Sequence, residues 1–236
     1  MASRKDFLAA TALGALAPAA AAASTPAPDA KHNAKPAGGA PHFAFDLASF
    51  DAALATQASH KHLFTATKID GGTVFEAMRN TLKAYRDIGI AWTDVLPVAV
   101  LYHGASIALG FDDSIWKSYF LPVARKHRKS PDDAVKDVLS IVTATTTGNP
   151  AMQKQGGDWD SSIPSLVADA GARIFICNNA TGGFASYLAR ETGKHEDAVY
   201  EDLAHHLVPG AMLVPAGVWA VHAVQERRFT LLEATL

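Results

Sequence analysis

Between residues 73 and 88, apolar side chains recur at helical spacing. Val74, Ala77, Met78, Leu82 and Tyr85 share one face with Thr81, while Arg79, Lys83 and Arg86 lie off it. That pattern predicts an amphipathic helix that buries one stripe. Asp70-Gly71-Gly72 supplies a break before it, and Gly89 ends it. From Val95 to His103 the chain is apolar almost without interruption, and Gly104 follows. A run with no alternation predicts a strand buried on both faces, as in a parallel sheet, with Pro97 at its start.

The same reading continues to the end of the chain. Ser106–Leu109 and Asp113–Phe120 read as helical, Asp132–Ala144 as a helix with Val135, Val138, Leu139 and Val142 as its stripe, and 145–159 as a polar loop. Ile163–Ala170 reads as a short helix ending at Gly171, and Arg173–Cys177 as a strand. Helices at Phe184–Glu191 and His195–Leu207, a strand at Ala211–Val214, a helix at Ala216–Arg227 and an edge strand at Phe229–Leu232 complete the series. Strands alternating with helices predict an α/β fold, a mainly parallel sheet with helices on both faces. In such folds the chemistry lies beyond the carboxyl ends of the strands. Three such ends carry distinctive residues: His103-Gly104, Cys177-Asn178-Asn179 and Pro215-Ala216-Gly217.

The N-terminus carries a different signal. Arg4 and Lys5 precede an alanine- and leucine-rich stretch, Phe7 to Ala17, and small residues lead to Ala23. Residues 1–23 read as an export signal and imply a periplasmic destination. Ser3-Arg4-Lys5-Asp6-Phe7-Leu8 resembles the twin-arginine pattern, with Lys5 in place of the second arginine; the general secretory route is the other possibility. The apolar stretch is too short and alanine-rich for a stable membrane span. Residues 24–41, rich in Ala, Pro, Lys and Gly, read as a flexible linker, and 42–236 as one domain. With 21 Lys and Arg against 23 Asp and Glu, the chain has no electrostatic footprint for nucleic acid. Its one basic cluster, Arg125 to Lys129, reads as a solvated loop before a helix start.

Cys177 is the only cysteine, so no internal disulfide can form. It stands where an apolar strand meets Asn178-Asn179-Ala180-Thr181-Gly182-Gly183, a glycine-bearing turn that opens a helix. Backbone N–H groups at a helix start favour a thiolate there. The plain alternative is a small hydrophobe filling the core. His103, at the tip of a neighbouring strand, is a candidate ion-pair partner or proton shuttle, or else a cap on the strand end. Asn178 and Asn179 read first as turn formers whose amides can line a pocket. The expected ligand-binding set is Asn178, Asn179, Thr181, Gly182, Gly104, Pro215 and Gly217.

The segment from Leu166 through Gly171 to Cys177 resembles the helix–Gly–strand–Cys segment of the DsrE/DsrF-like family of sulfur-relay proteins. Val208-Pro-Gly-Ala-Met-Leu-Val-Pro215-Ala-Gly217 is similar to that family's closing strand and turn, and Val98 to Gly104 to its central strand with a histidine at the tip. The resemblance spans roughly residues 65 to 232. It implies flavodoxin-like layering, assembly into homotrimers or hexamers, and, in some members, a cysteine at the position of Cys177 that carries sulfur as a persulfide. A sulfur donor or acceptor protein is then the expected partner. The other expectation is a non-catalytic oligomeric binding module with a packed cysteine.

Other chemistries find little purchase. No Gly-x-Gly-x-x-Gly or phosphate loop follows a strand, and Gly104-Ala105-Ser106-Ile107-Ala108 lacks the second glycine of a hydrolase elbow. His205 and His206 are adjacent on a predicted helix, about 100° apart, which is poor geometry for one ion. Neither a cofactor nor a metal is expected.

Overall fold

The computed structural model describes residues 43–102, 104–127, 146–153 and 160–235. The predicted signal, the linker, His103 and the predicted Asp132–Ala144 helix lie outside the described residues. Five strands form the sheet: β1 (His60–Ala66), β2 (Val95–Leu101), β3 (Arg173–Cys177), β4 (Ala211–Val214) and β5 (Thr230–Thr235). The helices are α1 (Leu47–Leu54), α2 (Thr73–Asp87), α3 (residues 113–126, with a π-helical middle at Trp116–Phe120), α4 (Ile163–Ala170), α5 (Asn178–Thr192), α6 (Glu196–His205) and α7 (Gly217–Glu226).

The strand order is β4-β3-β2-β1-β5, and every ladder is parallel. The α/β fold with a parallel sheet and helices on both faces is therefore what the chain adopts. β2 is the central strand and is buried along its whole length. Its side chains alternate between two cores. Val95, Ala99 and Leu101 join Phe64, Phe75, Met78, Leu166 and Leu188, while Leu96, Val98 and Val100 join Phe50, Leu63, Phe175 and Ala220. The first core packs α2, α4, α5 and α6 on one face; the second packs α1 and α7 on the other.

This division follows from handedness. A parallel crossover is right-handed, so steps in one direction along the sheet put their helices on one face. The chain steps β1→β2→β3→β4 in one direction, and α2, α4, α5 and α6 share a face. It then jumps back across the sheet to β5, and α7 covers the opposite face. On that face Phe50 of α1 lies 4.9 Å from Phe175 and 5.1 Å from Trp219, ring centre to ring centre. Arg227 pairs with Asp51 across the two helices.

Four details depart from expectation. β1 and α1 carry no strong periodic signal, and the sequence reading missed both. Pro97 is the third residue of β2 instead of its first; β3 begins to pair with β2 only at Val98, one residue beyond it. The segment expected as a helix from Ser106 is a 3-10 stretch, Gly104–Gly110. Finally, α5 starts directly at Asn178, so the glycine-bearing turn is the first part of the helix.

Polar clasps join the pieces where apolar packing gives no register. On α2 the buried Arg79 donates to Asp169 at 2.9 Å and to Ser165 at 2.7 Å, both on α4, with its guanidinium 5.0 Å from the Trp92 ring centre. Asn149, fully buried, donates from Nδ2 to the carbonyls of Leu109 (2.8 Å) and Phe111 (2.7 Å) and accepts from the Ala151 N–H at 2.9 Å. It fixes the stretch after β2, where Gly110 leaves no room for a Cβ beside Ile176 (2.4 Å). A buried polar group left without its partner costs about 1–3 kcal/mol. Asn149→Ala strands two carbonyls and an N–H, so urea denaturation should show a loss of roughly 3 kcal/mol. Asn149→Asp, which offers those carbonyls no donor, should lose a similar amount; a loss below about 1 kcal/mol in both would mean that the amide does not tie this stretch.

Candidate functional site

Adjacent strands whose outgoing connections leave toward opposite faces open a crevice at their carboxyl ends. Here β1, β2 and β3 all send the chain to the α2 face, whereas β4 sends it to the α7 face. The divergence therefore falls between β3 and β4. Cys177 is the last residue of β3 and pairs with Val214, the last of β4. Topology alone thus places the lone thiol of the sequence at the point where this fold class builds sites.

Cys177 also precedes α5, in extended conformation (φ −64°, ψ 113°). Its carbonyl accepts the hydroxyl of the fully buried Thr181 at 3.0 Å, a bond that ties the strand end to the first turn of the helix. Asn178 is buried, and its Oδ1 accepts the Tyr200 hydroxyl from α6 at 2.5 Å. Burial pushes the Tyr200 phenol up, and the bond to Asn178 partly offsets this. The sulfur residue itself is only 7 % exposed and belongs to the core of the α2 face.

Beside this strand end, β4 leads into α7. Pro215, half-buried, leads to the buried Gly217 at the start of α7. A Cβ on Gly217 would fall 1.9 Å from Cβ of Tyr102, the residue just past β2. The chain from β4 therefore crosses the end of β3 and presses on the end of β2. Tyr102 is held in turn: its N–H donates to the Ala66 carbonyl at 3.1 Å, and its carbonyl accepts the Ser106 hydroxyl at 3.2 Å.

Of the residues singled out by sequence, Cys177, Asn178, Thr181, Pro215 and Gly217 gather at this strand end. Asn179 is exposed and Gly182 half-buried on α5, with open space around Gly182. Gly104 begins the 3-10 stretch after β2, and His103 lies outside the described residues. Asn178 and Asn179 are the first residues of a helix, not the turn that was expected. Sequence reasoning missed Tyr102 and Tyr200. Tyr200 sits in the apolar stripe Val199, Tyr200, Leu203 and reads as plain core; Tyr102 is drawn in by Gly217, which is over a hundred positions away and leaves no local signal.

Two clefts lie elsewhere. One of about 460 Å³ is lined by His62, Phe64, Tyr85, Ile88 and Leu232, and one of about 580 Å³ by Asp51, Lys61, Arg227 and Arg228, among others. Among the described residues no group of three or more His, Cys, Asp or Glu is placed to hold a metal ion, and no helix is long and apolar enough to cross a membrane.

No protein-family model matches the chain, and no curated protein matches it. A solved protein of unknown function from Methanobacterium thermoautotrophicum is similar over 74% of this chain and 99% of its own length, at 12% identity and a TM-score of 0.37. A likeness that slight carries no argument about either chain.

Two glycines at the site differ in what they tolerate. Gly217→Ala forces a Cβ into Tyr102 and should cost about 1–3 kcal/mol, the usual range for overpacking. Gly182→Ala enters open space inside α5 and should stabilise by about 0.5–1 kcal/mol through helix propensity. Urea midpoints of the two variants should move in opposite directions. Equal shifts would mean that the Tyr102 contact yields freely.

Proposed function

We propose that this chain is an exported, periplasmic sulfur-handling protein of the DsrE-like kind, a homo-oligomer of three or six copies that carries sulfur on Cys177. The observation that carries the reading is the position of the only thiol, at the divergence of β3 and β4 and at the first turn of a fifteen-residue helix. The start of a helix favours a thiolate through its dipole, and the carboxyl ends of diverging strands are where this fold class builds sites; the Cys177 side chain itself makes no capping hydrogen bond.

The chemistry needs no outside oxidant. The Cys177 thiolate attacks the outer sulfur of a donor persulfide, R–S–S–H. The donor S–S bond breaks, R–S⁻ leaves with the electron pair, and the new bond makes Cys177 the persulfide. Delivery is the same step with an acceptor thiolate, which regenerates the Cys177 thiolate. His103 is the proposed proton shuttle, Asn178 and Thr181 fix the strand-to-helix junction, and Pro215 and Gly217 stand at the neighbouring end of β4.

The 7 % exposure of Cys177 favours a second reading, a binding or assembly module in which the cysteine is packed. Alkylation of the folded protein, read by intact mass, separates the two. Under the carrier reading, a small reagent labels Cys177 in the absence of denaturant at a rate independent of unfolding. Incubation with a low-molecular-weight persulfide then adds one sulfur atom to the wild type and none to Cys177→Ser. Labelling that tracks global unfolding and no sulfur uptake would leave only the binding module.

A further inference from the structure

β5 is an outer strand of the sheet, and among the described residues it pairs only with β1. Thr230, Leu231, Leu232 and Glu233 are all exposed, Leu231 at 40 % and Leu232 at 50 %. Outer strands are ordinarily guarded by a proline, a lysine or a bulge that breaks the row of free N–H and C=O groups. β5 reads Thr-Leu-Leu-Glu-Ala-Thr, with neither proline nor lysine, and its ladder is regular from Thr230 to Glu233. Beside it on the α2 face lies the cleft of about 460 Å³, with Leu232 and Ile88 in its wall and Ile88 72 % exposed.

Faces and charge decide which strand fits this edge. Thr230 and Leu232 stand beside His62 and Phe64 on the α2 face, whereas Leu231 and Glu233 stand beside Leu63 and Thr65 on the α7 face. Phe229, just before the strand, is buried on that same α7 face, and the Lys61 ammonium lies 5.8 Å from its ring centre. Among the described residues neither Lys61 nor Glu233 has an ion-pair partner.

A second copy that meets β5 with its own β5 about a two-fold axis runs antiparallel, and opposed residues then share a face. A register centred on Glu233 opposes two carboxylates, and like charges directly opposite destabilise a pair of strands. A register centred on Leu232 sets each carboxylate against a leucine. A register centred on Leu231 has neither fault. It opposes Leu231 to its own copy on the α7 face and brings each Leu232 to the row of Thr230 and His62, beside the other copy's cleft. It also sets each Glu233 against the other copy's Phe229, the ring over which the Lys61 ammonium lies. One register thus joins the free main-chain groups, covers both leucines and gives the carboxylate and the ammonium their partners twice over.

We propose that the outer edge of β5 is a docking surface for a second copy of this chain, paired antiparallel about Leu231 so that the two sheets become one. The pairing stands without the thiol chemistry. A ring of three copies has no such axis, so where the chain forms rings of three, this contact joins two of them into the assembly of six.

Cross-linking of the full chain tests the register. In a Cys177→Ser background, Leu231→Cys places two thiols on strands about 5 Å apart, within disulfide range. Mild oxidation should convert most of it to a covalent dimer, read by intact mass. Glu233→Cys in the same background sets its thiols four rows apart, roughly 13 Å, and should stay uncross-linked. No dimer from Leu231→Cys, or equal dimer from both, overturns the pairing. Should that background not fold, sedimentation with Cys177 intact decides. The wild type should hold an even number of copies at about 100 µM. Glu233→Lys should weaken its association roughly tenfold, and Lys61→Glu added to it should restore most of the loss. A monomer, an odd number of copies, or a charge reversal without effect rejects the pairing.

Discussion

A parallel strand cannot follow its neighbour without the chain crossing a face of the sheet, and L-amino acids make that crossing right-handed. In this chain the constraint decides nearly everything else. Steps from β1 to β4 run one way, so their helices crowd onto one face and leave the other to α1 and α7. The return to β5 must use the free face. Because the reversal happens after β4, the crevice of the sheet falls beside β3. The placement of Cys177 is thus a consequence of strand order, and no local feature of the thiol was needed to bring it there.

The same crossing is also short. The chain leaving β4 has to pass the end of β3 to reach the far face, and it does so in three residues, with Gly217 seated against Tyr102. A larger residue would lift α7 away from the strand ends. Cys177 itself owes its burial to the core of the α2 face, which it joins with Ile174 and Ile176. A carrier role then needs this strand end to admit a donor to a residue that is only 7 % exposed.

Much of this architecture is legible in the sequence, and the failures have physical causes. β2, β3 and α2 are written in apolar runs or a clean helical stripe, because each is buried on two faces or on one broad face; β4 is as apolar although it is a half-buried edge strand. β1 was missed because it begins His60-Lys61-His62: its first half is only part-buried, and it is a strand chiefly because β2 and β5 pair with it. The start of α5 was misread because Asn and Gly disfavour helix interiors. There the Thr181–Cys177 bond and the occupied Asn178 amide outweigh propensity. At the candidate site, Cys177, Asn178 and the Pro215–Gly217 turn could be found locally. Tyr102 and Tyr200 could not, since each joins through contacts that only the tertiary fold creates.

The position of β5 also bears on how the molecule is assembled. It pairs with β1, and the Thr230 side chain meets the Lys61 carbonyl across 169 positions of sequence. Every other strand pair can form as the chain lengthens from β1 to β4, but the outer edge of β1 waits for β5. This is the ladder of greatest sequence separation in the sheet, and its closure carries the largest entropic cost. Until then β1 offers an unpaired row of N–H and C=O groups, the feature that templates edge-to-edge aggregation. A nascent chain is therefore at its most vulnerable in the interval before β5 arrives, and a chaperone that shields β1 would matter more to its yield than one that shields the larger core.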